Sequence, residues 1–131
     1  MSRKKASVEY SYKFRSGFER KVYDGATKNG LELDFERPDS VLSYTRPSRY
    51  LPDFVLPNGV LVECKGRFTS ADRTKMLLVR KANPLADIRL VFQRANNRLT
   101  KSANSITYGE WADRHGFPWS QGSIPEEWWI N

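Results

Sequence analysis

One cysteine and one histidine are all that this 131-residue chain offers for thiolate or imidazole chemistry. Cys64 alone excludes a disulfide framework and any zinc site built on several cysteines, and it suits a reducing compartment. Long apolar runs are missing too: none approaches the roughly 20 residues that a membrane-spanning helix needs. The start, Met1 to Lys5, has no apolar stretch of the kind a secretory signal carries. The sequence shows no internal repeat and no low-complexity segment. Acids are in the minority, 15 against 22 Lys and Arg, which leaves a formal charge of +7. With 39% hydrophobic and 13% aromatic residues the chain can still bury a core. One folded domain is expected, with an acidic partner, nucleic acid ahead of a membrane surface.

The basic excess is uneven. Residues 1–20 carry +4, residues 21–62 carry −1, residues 63–101 carry +7 and residues 102–131 carry −3. A cationic arm and one cationic central stretch therefore stand out, the layout that sequence-independent phosphate contact needs. Lys4, Lys5, Lys13 and Arg15 in the arm are candidate DNA contacts, as are Arg67, Arg73, Lys75, Arg80 and Lys81 in the central stretch. A merely solvated surface is the alternative.

Residues 1–15 read as a basic N-terminal arm and residues 16–131 as a single domain. Ser16 and Glu19 have capping-box spacing at the head of a helix to about Lys28, with Phe18, Val22 and Ala26 on one face and Asn29-Gly30 as its stop. Leu31, Leu33 and Phe35 alternate with Glu32, Asp34 and Glu36, the signature of a half-exposed strand. Residues 37–52 hold Pro38, Pro47 and Pro52 and predict an extended, stiff connection. Asp53–Leu56 and Val60–Cys64 flank Pro57-Asn58-Gly59, a strong hairpin signal. Gly66 breaks the second strand. Ser70 is the expected cap of a helix to about Ala82, with Met76, Leu77 and Val79 or Leu78 as its apolar set. Ile88–Phe92 is a buried strand, so residues 60–92 predict a right-handed βαβ unit. After a polar, basic loop at 93–105, Thr107 and Glu110 repeat the capping spacing before a short helix that Gly116 ends. The fold class is mixed α/β with a small central sheet.

The hairpin carries the chemistry. A two-residue turn, Asn58-Gly59, would set Phe54 opposite Glu63. A three-residue turn, Pro57-Asn58-Gly59, puts proline and a left-handed glycine where they suit a type I turn and sets Asp53 opposite Glu63. Only the second register gives one wholly apolar face: Phe54, Leu56, Val60, Val62 and Cys64. The other face then carries Asp53, Glu63 and Lys65. Opposed residues have Cβ atoms about 4.5–5.5 Å apart, so the two carboxylates repel unless something positive sits between them. A divalent cation with oxygen ligands is the ready answer, with Lys65 able to orient or deprotonate a water or to neutralise a phosphate. An exposed ion-pair network at a sheet edge is the alternative. Gly66, which permits close approach just beyond the cluster, favours a site.

Pro52-Asp53, ten residues to Glu63, then Glu63-Cys64-Lys65 matches the PD-(D/E)XK pattern of restriction-type nucleases. The surroundings narrow the match: FRSGFERKV from Phe14, PDFVLPNG from Pro52, VECKG from Val62, Tyr108-Gly109-Glu110 and IPEEW from Ile124. Together they resemble the bacteriophage endonuclease I family of Holliday-junction-resolving enzymes, from about Phe14 to Trp128. The resemblance implies a restriction-endonuclease-like mixed sheet flanked by helices. It places Asp53, Glu63 and Lys65 on the metal-binding and catalytic positions, with Glu19 as a fourth catalytic acid and further metal ligand, although a helix cap alone would explain that residue. It implies Mg²⁺, one or two ions per site and replaceable by Mn²⁺, and four-way or other branched DNA as substrate rather than a small molecule. It further implies an intertwined homodimer whose sites take Glu19 from one chain and the other three residues from its partner, with residues 43–51 as the crossing bridge. The expected location is the cytoplasm of a bacterial or phage-infected host cell. Family members continue past the segment at Ile124–Trp128 into a basic tail, and the loop at 93–105 follows their pattern loosely, so neither supplies contacts to carry over.

Other residues fit plainer roles: His115 a helix-end or surface group, Cys64 core, Trp128 and Trp129 packing or dimer contacts. The expected activity is thus a Mg²⁺-dependent endonuclease that resolves junctions by paired cuts. The alternatives are a related nuclease with another preferred DNA structure, or a non-catalytic basic DNA-binding protein.

Overall fold

Turn chemistry sets the centre of the molecule. In the computed structural model, which describes residues 17–36, 42–44 and 48–130, Gly59 has φ +91°, the left-handed conformation that a Cβ would disfavour. Leu56 N–H donates to the Val60 carbonyl at 2.8 Å and Gly59 N–H to the Leu56 carbonyl at 2.9 Å, closing the three-residue turn. Strands β4 (Phe54–Val55) and β5 (Leu61–Lys65) pair with Phe54 opposite Val62 and Val55 opposite Leu61. That is the register expected from the apolar pattern. Asn58 anchors the turn by donating to the Trp128 carbonyl at 2.8 Å.

Chain order begins with α1 (Gly17–Lys28) and the short β1 (Asp34–Phe35), then β2 (Leu42–Tyr44) and β3 (Ser48–Tyr50). After β4 and β5 come α2 (Ser70–Ala82), β6 (Ile88–Phe92), α3 (Tyr108–His115), β7 (Trp119–Gln121) and a 3₁₀ turn at Glu126–Trp128. The main sheet runs β1-β4-β5-β6-β7, antiparallel from β1 to β5 and parallel from β5 to β7. Parallel neighbours β5 and β6 joined through α2 form the expected βαβ unit. No helix among the described residues is long and apolar enough to cross a membrane.

Alternation along β5 divides the core into two layers. Val62 and Cys64 pack with Phe54, Leu56 and Val60 against Phe18, Val22, Tyr23 and Ala26 of α1. Leu61 faces the other way, into a cluster with Met76 and Val79 of α2 and Trp111 and Ala112 of α3. At the heart of that second layer, Phe68 meets Phe92, Tyr108 and Trp111 edge-on, with ring centroids 5.2, 5.7 and 4.9 Å away. Burying such side chains contributes about 1.5–3 kcal/mol each. Here it also fixes the short loop between Lys65 and α2. Cys64 and Trp128 are core residues, as expected.

Three expectations need correction. The cap of α2 is Thr69, not Ser70: its hydroxyl accepts from Asp72 N–H, and the Asp72 carboxylate accepts from Thr69 N–H, a reciprocal box that Ser70 is one residue too late to make. The strand over residues 31–36 is shorter than its alternation; Leu31 and Leu33 are buried and Glu32 exposed, but only Asp34–Phe35 pairs with β4. The connection 37–52 is not simply an extended path, since β2 and β3 pair within it, Leu42 opposite Tyr50. Its apolar–polar alternation, Leu42-Ser43-Tyr44 and Ser48-Arg49-Tyr50, is a hairpin pattern that the prolines obscure. The arm at 1–15, the cap at Ser16, Pro38 and Pro47 lie outside the described residues.

Candidate active site

The candidate site forms where β4 and β5 part. Beyond the Phe54–Val62 pair, the Asp53 side chain takes over from the main chain: its Oδ2 accepts from Cys64 N–H at 2.8 Å. Glu63, on the opposite face of β5 from Cys64, is buried as well, with 8% of its surface exposed against 2% for Asp53. Its Oε1 accepts from the Tyr50 hydroxyl at 2.7 Å, and its Oε2 lies 3.6 Å from Lys65 Nζ. Lys65 also donates to Asp72 Oδ1 at 3.2 Å. Glu19, in the first turn of α1, is buried and hydrogen-bonded to Asp53. The four acids and bases singled out from the sequence thus meet in one place, in one chain.

Electrostatics there are strained. Burial, reinforced by the negative charges of Glu63 and Glu19, pushes the Asp53 carboxyl up to about 9 from 3.8 despite the Cys64 N–H. Glu63 is also raised, by burial, against the opposing pull of Lys65, the Tyr50 hydroxyl and Lys75. For Lys65, burial works against the ammonium, but Glu63 and Asp72 outweigh it and hold the group above its usual value. The cluster is therefore short of positive charge, and a cation entering it would relieve the carboxylates. Cys64 is pushed up chiefly by burial and stays a thiol.

Residues 1–131 match the phage endonuclease I family. The chain belongs to that family. It is 40% identical over 118 residues to endonuclease I of Escherichia phage T7, covering 88% of this chain and 77% of that protein. Endodeoxyribonuclease 1 of Enterobacteria phage T3 is 41% identical over 115 residues, 86% of this chain and 74% of that one.

For a phage endonuclease I the donor set at Asp53 and Glu63 suits a hard divalent cation. All the donors are carboxylate oxygens, and both carboxyls are raised by burial in a pocket that lacks a full countercharge. Among the described residues no three His, Cys, Asp or Glu side chains are gathered tightly enough to hold a metal ion by themselves. Two carboxylates, with waters and phosphate oxygens completing the shell, are what Mg²⁺ ordinarily takes.

The other candidates divide. Arg67 and Lys81 are exposed. Arg73 donates to the Phe68 carbonyl at 2.7 Å, holding the loop before α2. Arg80 donates to the His115 carbonyl and lies 4.1 Å over the Phe117 ring, so it ties α2 to the end of α3. Lys75 turns toward the site, its Nζ 5.5 Å from the Tyr50 ring centroid. His115 packs its ring at a tilt of 38° against Trp111, with centroids 4.4 Å apart. Lys4, Lys5, Lys13 and Arg15 lie outside the described residues. Two site residues escaped sequence reasoning. Asp72 had a local signal, the Thr69-x-x-Asp72 box, whereas Tyr50 had none, because its partner is 13 residues away across a turn.

Proposed function

We propose that the protein is a divalent-metal-dependent DNA endonuclease that resolves four-way and other branched junctions by paired cuts. The observation that carries this is the meeting of Asp53, Glu63, Lys65 and Glu19 at the open end of β5. Membership of the phage endonuclease I family and the name of the phage T3 relative, endodeoxyribonuclease 1, support the DNA substrate. Asp53 and Glu63 would hold Mg²⁺, with Mn²⁺ as a substitute and Glu19 available through Asp53. When bound, the ion supplies a Lewis acid for the phosphoryl oxygens and a more acidic water.

The chain's own groups do the rest. Lys65, held between Glu63 and Asp72, places an ammonium where negative charge grows on the phosphate. Water adds in line at phosphorus, the bond to the 3′ oxygen breaks, and 5′-phosphate and 3′-hydroxyl ends result. Duplex arms run over a cationic rim. Gln93 N–H donates to the Lys65 carbonyl at 3.0 Å, and just past the ends of the paired strands β5 and β6 lie exposed Arg67 and exposed Arg94. Such contacts read backbone geometry, not base edges.

Paired cutting calls for two sites, hence a homodimer of the restriction-endonuclease-like kind. Exchange of the N-terminal part through residues 43–51 would rebuild between chains the same Glu19–Asp53 contact found within one.

Incubation with junction, linear duplex and single-stranded DNA, with and without Mg²⁺, tests the reading. Cutting of the junction alone, only with Mg²⁺, is expected; binding without cutting in Mg²⁺ would leave a DNA-binding protein, and equal cutting of duplex would remove junction selectivity. Co-refolded Glu19→Gln and Asp53→Asn chains report on sharing: both lesions fall in one composite site of an exchanged heterodimer, so nicking returns, and unshared sites stay dead.

A further inference from the structure

The Glu63 carboxylate is gripped at both oxygens, and one of the grips serves no charge balance of its own. Lys65 at Oε2 neutralises. The Tyr50 hydroxyl at Oε1 is a neutral donor, kept so by burial and by the neighbouring Glu63 charge, which together raise it well above its ordinary value. Tyr50 is only 1% exposed, packed with Leu61 and Met76, so it touches no substrate. It is the last residue of β3, and Lys75 of α2 covers its ring.

We propose that Tyr50 is a positioning residue for the reaction: its hydroxyl sets the rotation of the Glu63 carboxylate so that Oε2 faces the pocket shared with Asp53 and Lys65. This rests on the function proposed above. A glutamate's terminal torsion is broad and roughly two-fold, so nothing in the side chain itself selects one orientation. A single directed hydrogen bond of 2.7 Å removes that freedom. Hydrogen bonds to ligating carboxylates from outside the metal shell typically change metal affinity or activity by about 10–100-fold when removed. The same contact makes the β2–β3 ribbon part of the site, because displacing β3 would withdraw the hydroxyl.

The test is Tyr50→Phe, which keeps the ring, its packing and its contact with Lys75 and removes only the hydroxyl. Five quantities separate the outcomes: Mn²⁺ affinity of the DNA-free protein by electron paramagnetic resonance, kcat and KM on a four-way junction across Mg²⁺ concentrations, metal-free junction affinity, and Tm. The expected result is Mn²⁺ binding weakened by about 10–100-fold and kcat reduced by a similar factor at low Mg²⁺, recovering as Mg²⁺ is raised. KM and metal-free junction affinity should stay at the wild-type values. A lowered Tm with unchanged Mn²⁺ affinity and Mg²⁺ dependence would make Tyr50 a packing residue and overturn the proposal, as would no change in any quantity. Wild-type protein that binds no Mn²⁺ and cuts no DNA would instead defeat the proposed function, and this inference with it.

Discussion

Helices α2 and α3 start with the same device. Thr69 with Asp72, and Thr107 with Glu110, each form a reciprocal box in which the threonine hydroxyl accepts from the third residue's N–H and that residue's carboxylate accepts from the threonine N–H. Both acids are lowered, Asp72 with its backbone bond to Thr69 and the Lys65 ammonium overcoming burial, Glu110 chiefly by its backbone bond to Thr107. The difference lies in what stands in front. Four residues separate the end of β5 from the start of helix α2, and Asp72 has a second oxygen on Lys65 at 3.2 Å. Glu110 looks into solvent. One local motif thus serves as plain capping in one place and as a brace for a candidate catalytic amine in the other, and only tertiary position decides which.

The sharpest way to break the comparison is to remove the amine. Lys65→Ala should lower junction cleavage by about 10²–10³-fold while junction binding survives, as expected of a preorganised charge in a buried site. Binding assays beside single-turnover rates check this. Next is Asp72→Asn, which leaves an oxygen for the Thr69 N–H but releases Lys65. It should reduce kcat by about 10–100-fold with KM unchanged. The matching Glu110→Gln should leave both kinetic constants alone. A kinetic defect in Glu110→Gln would erase the distinction between the caps.

A second contrast is between lowered and raised acids. Asp72 and Glu110 add stability that is lost as pH falls through their depressed folded values. Asp53 behaves oppositely: its folded value, about 9, lies above its ordinary 3.8, so its share of stability fades as pH rises through that window. In chelator, Asp53→Asn should therefore be more stable than wild type at pH 8, by on the order of 1–3 kcal/mol, and the gap should shrink toward pH 4. Mg²⁺ should raise the Tm of wild type and leave the variant's nearly unmoved. Denaturant melts across pH decide it. The smallest effects come from the caps themselves: Thr69→Ala and Thr107→Ala should each cost about 1 kcal/mol. Only the first should also slow cutting, through Asp72.

Much of this was legible along the chain, and the reason is locality. Pro57-Asn58-Gly59 fixes the turn, the turn fixes the register, and the register brings Asp53, Glu63 and Lys65 to one side; every step uses residues within a dozen positions. Phe18, Val22 and Ala26 announced the buried face of α1 by the same short-range logic. What failed to show was either masked by a louder signal or depended on distance. The prolines of residues 37–52 hid the β2–β3 pairing. Ser70 outshone Thr69 because Asp72 is a less familiar partner in a capping box than Glu or Gln. Arg73 and Arg80 looked like surface charges, yet the carbonyls they serve, Phe68 and His115, become available only once loops and helices have packed. Tyr50 is the extreme case: nothing within its own segment points to Glu63.

The Asp53 side chain stands in for a missing rung of the β4–β5 ladder by accepting the Cys64 amide. Truncation to alanine would leave that buried N–H without its acceptor, at about 1–3 kcal/mol. Folding and cutting thus compete for one residue's loss, and folding speaks first. A lineage released from any need to cut DNA would still be held at this position by the requirement to fold, free to drift to asparagine but hardly beyond it. Inactive descendants of this protein should carry asparagine at position 53 more readily than alanine, a record of the backbone's claim on a candidate catalytic side chain.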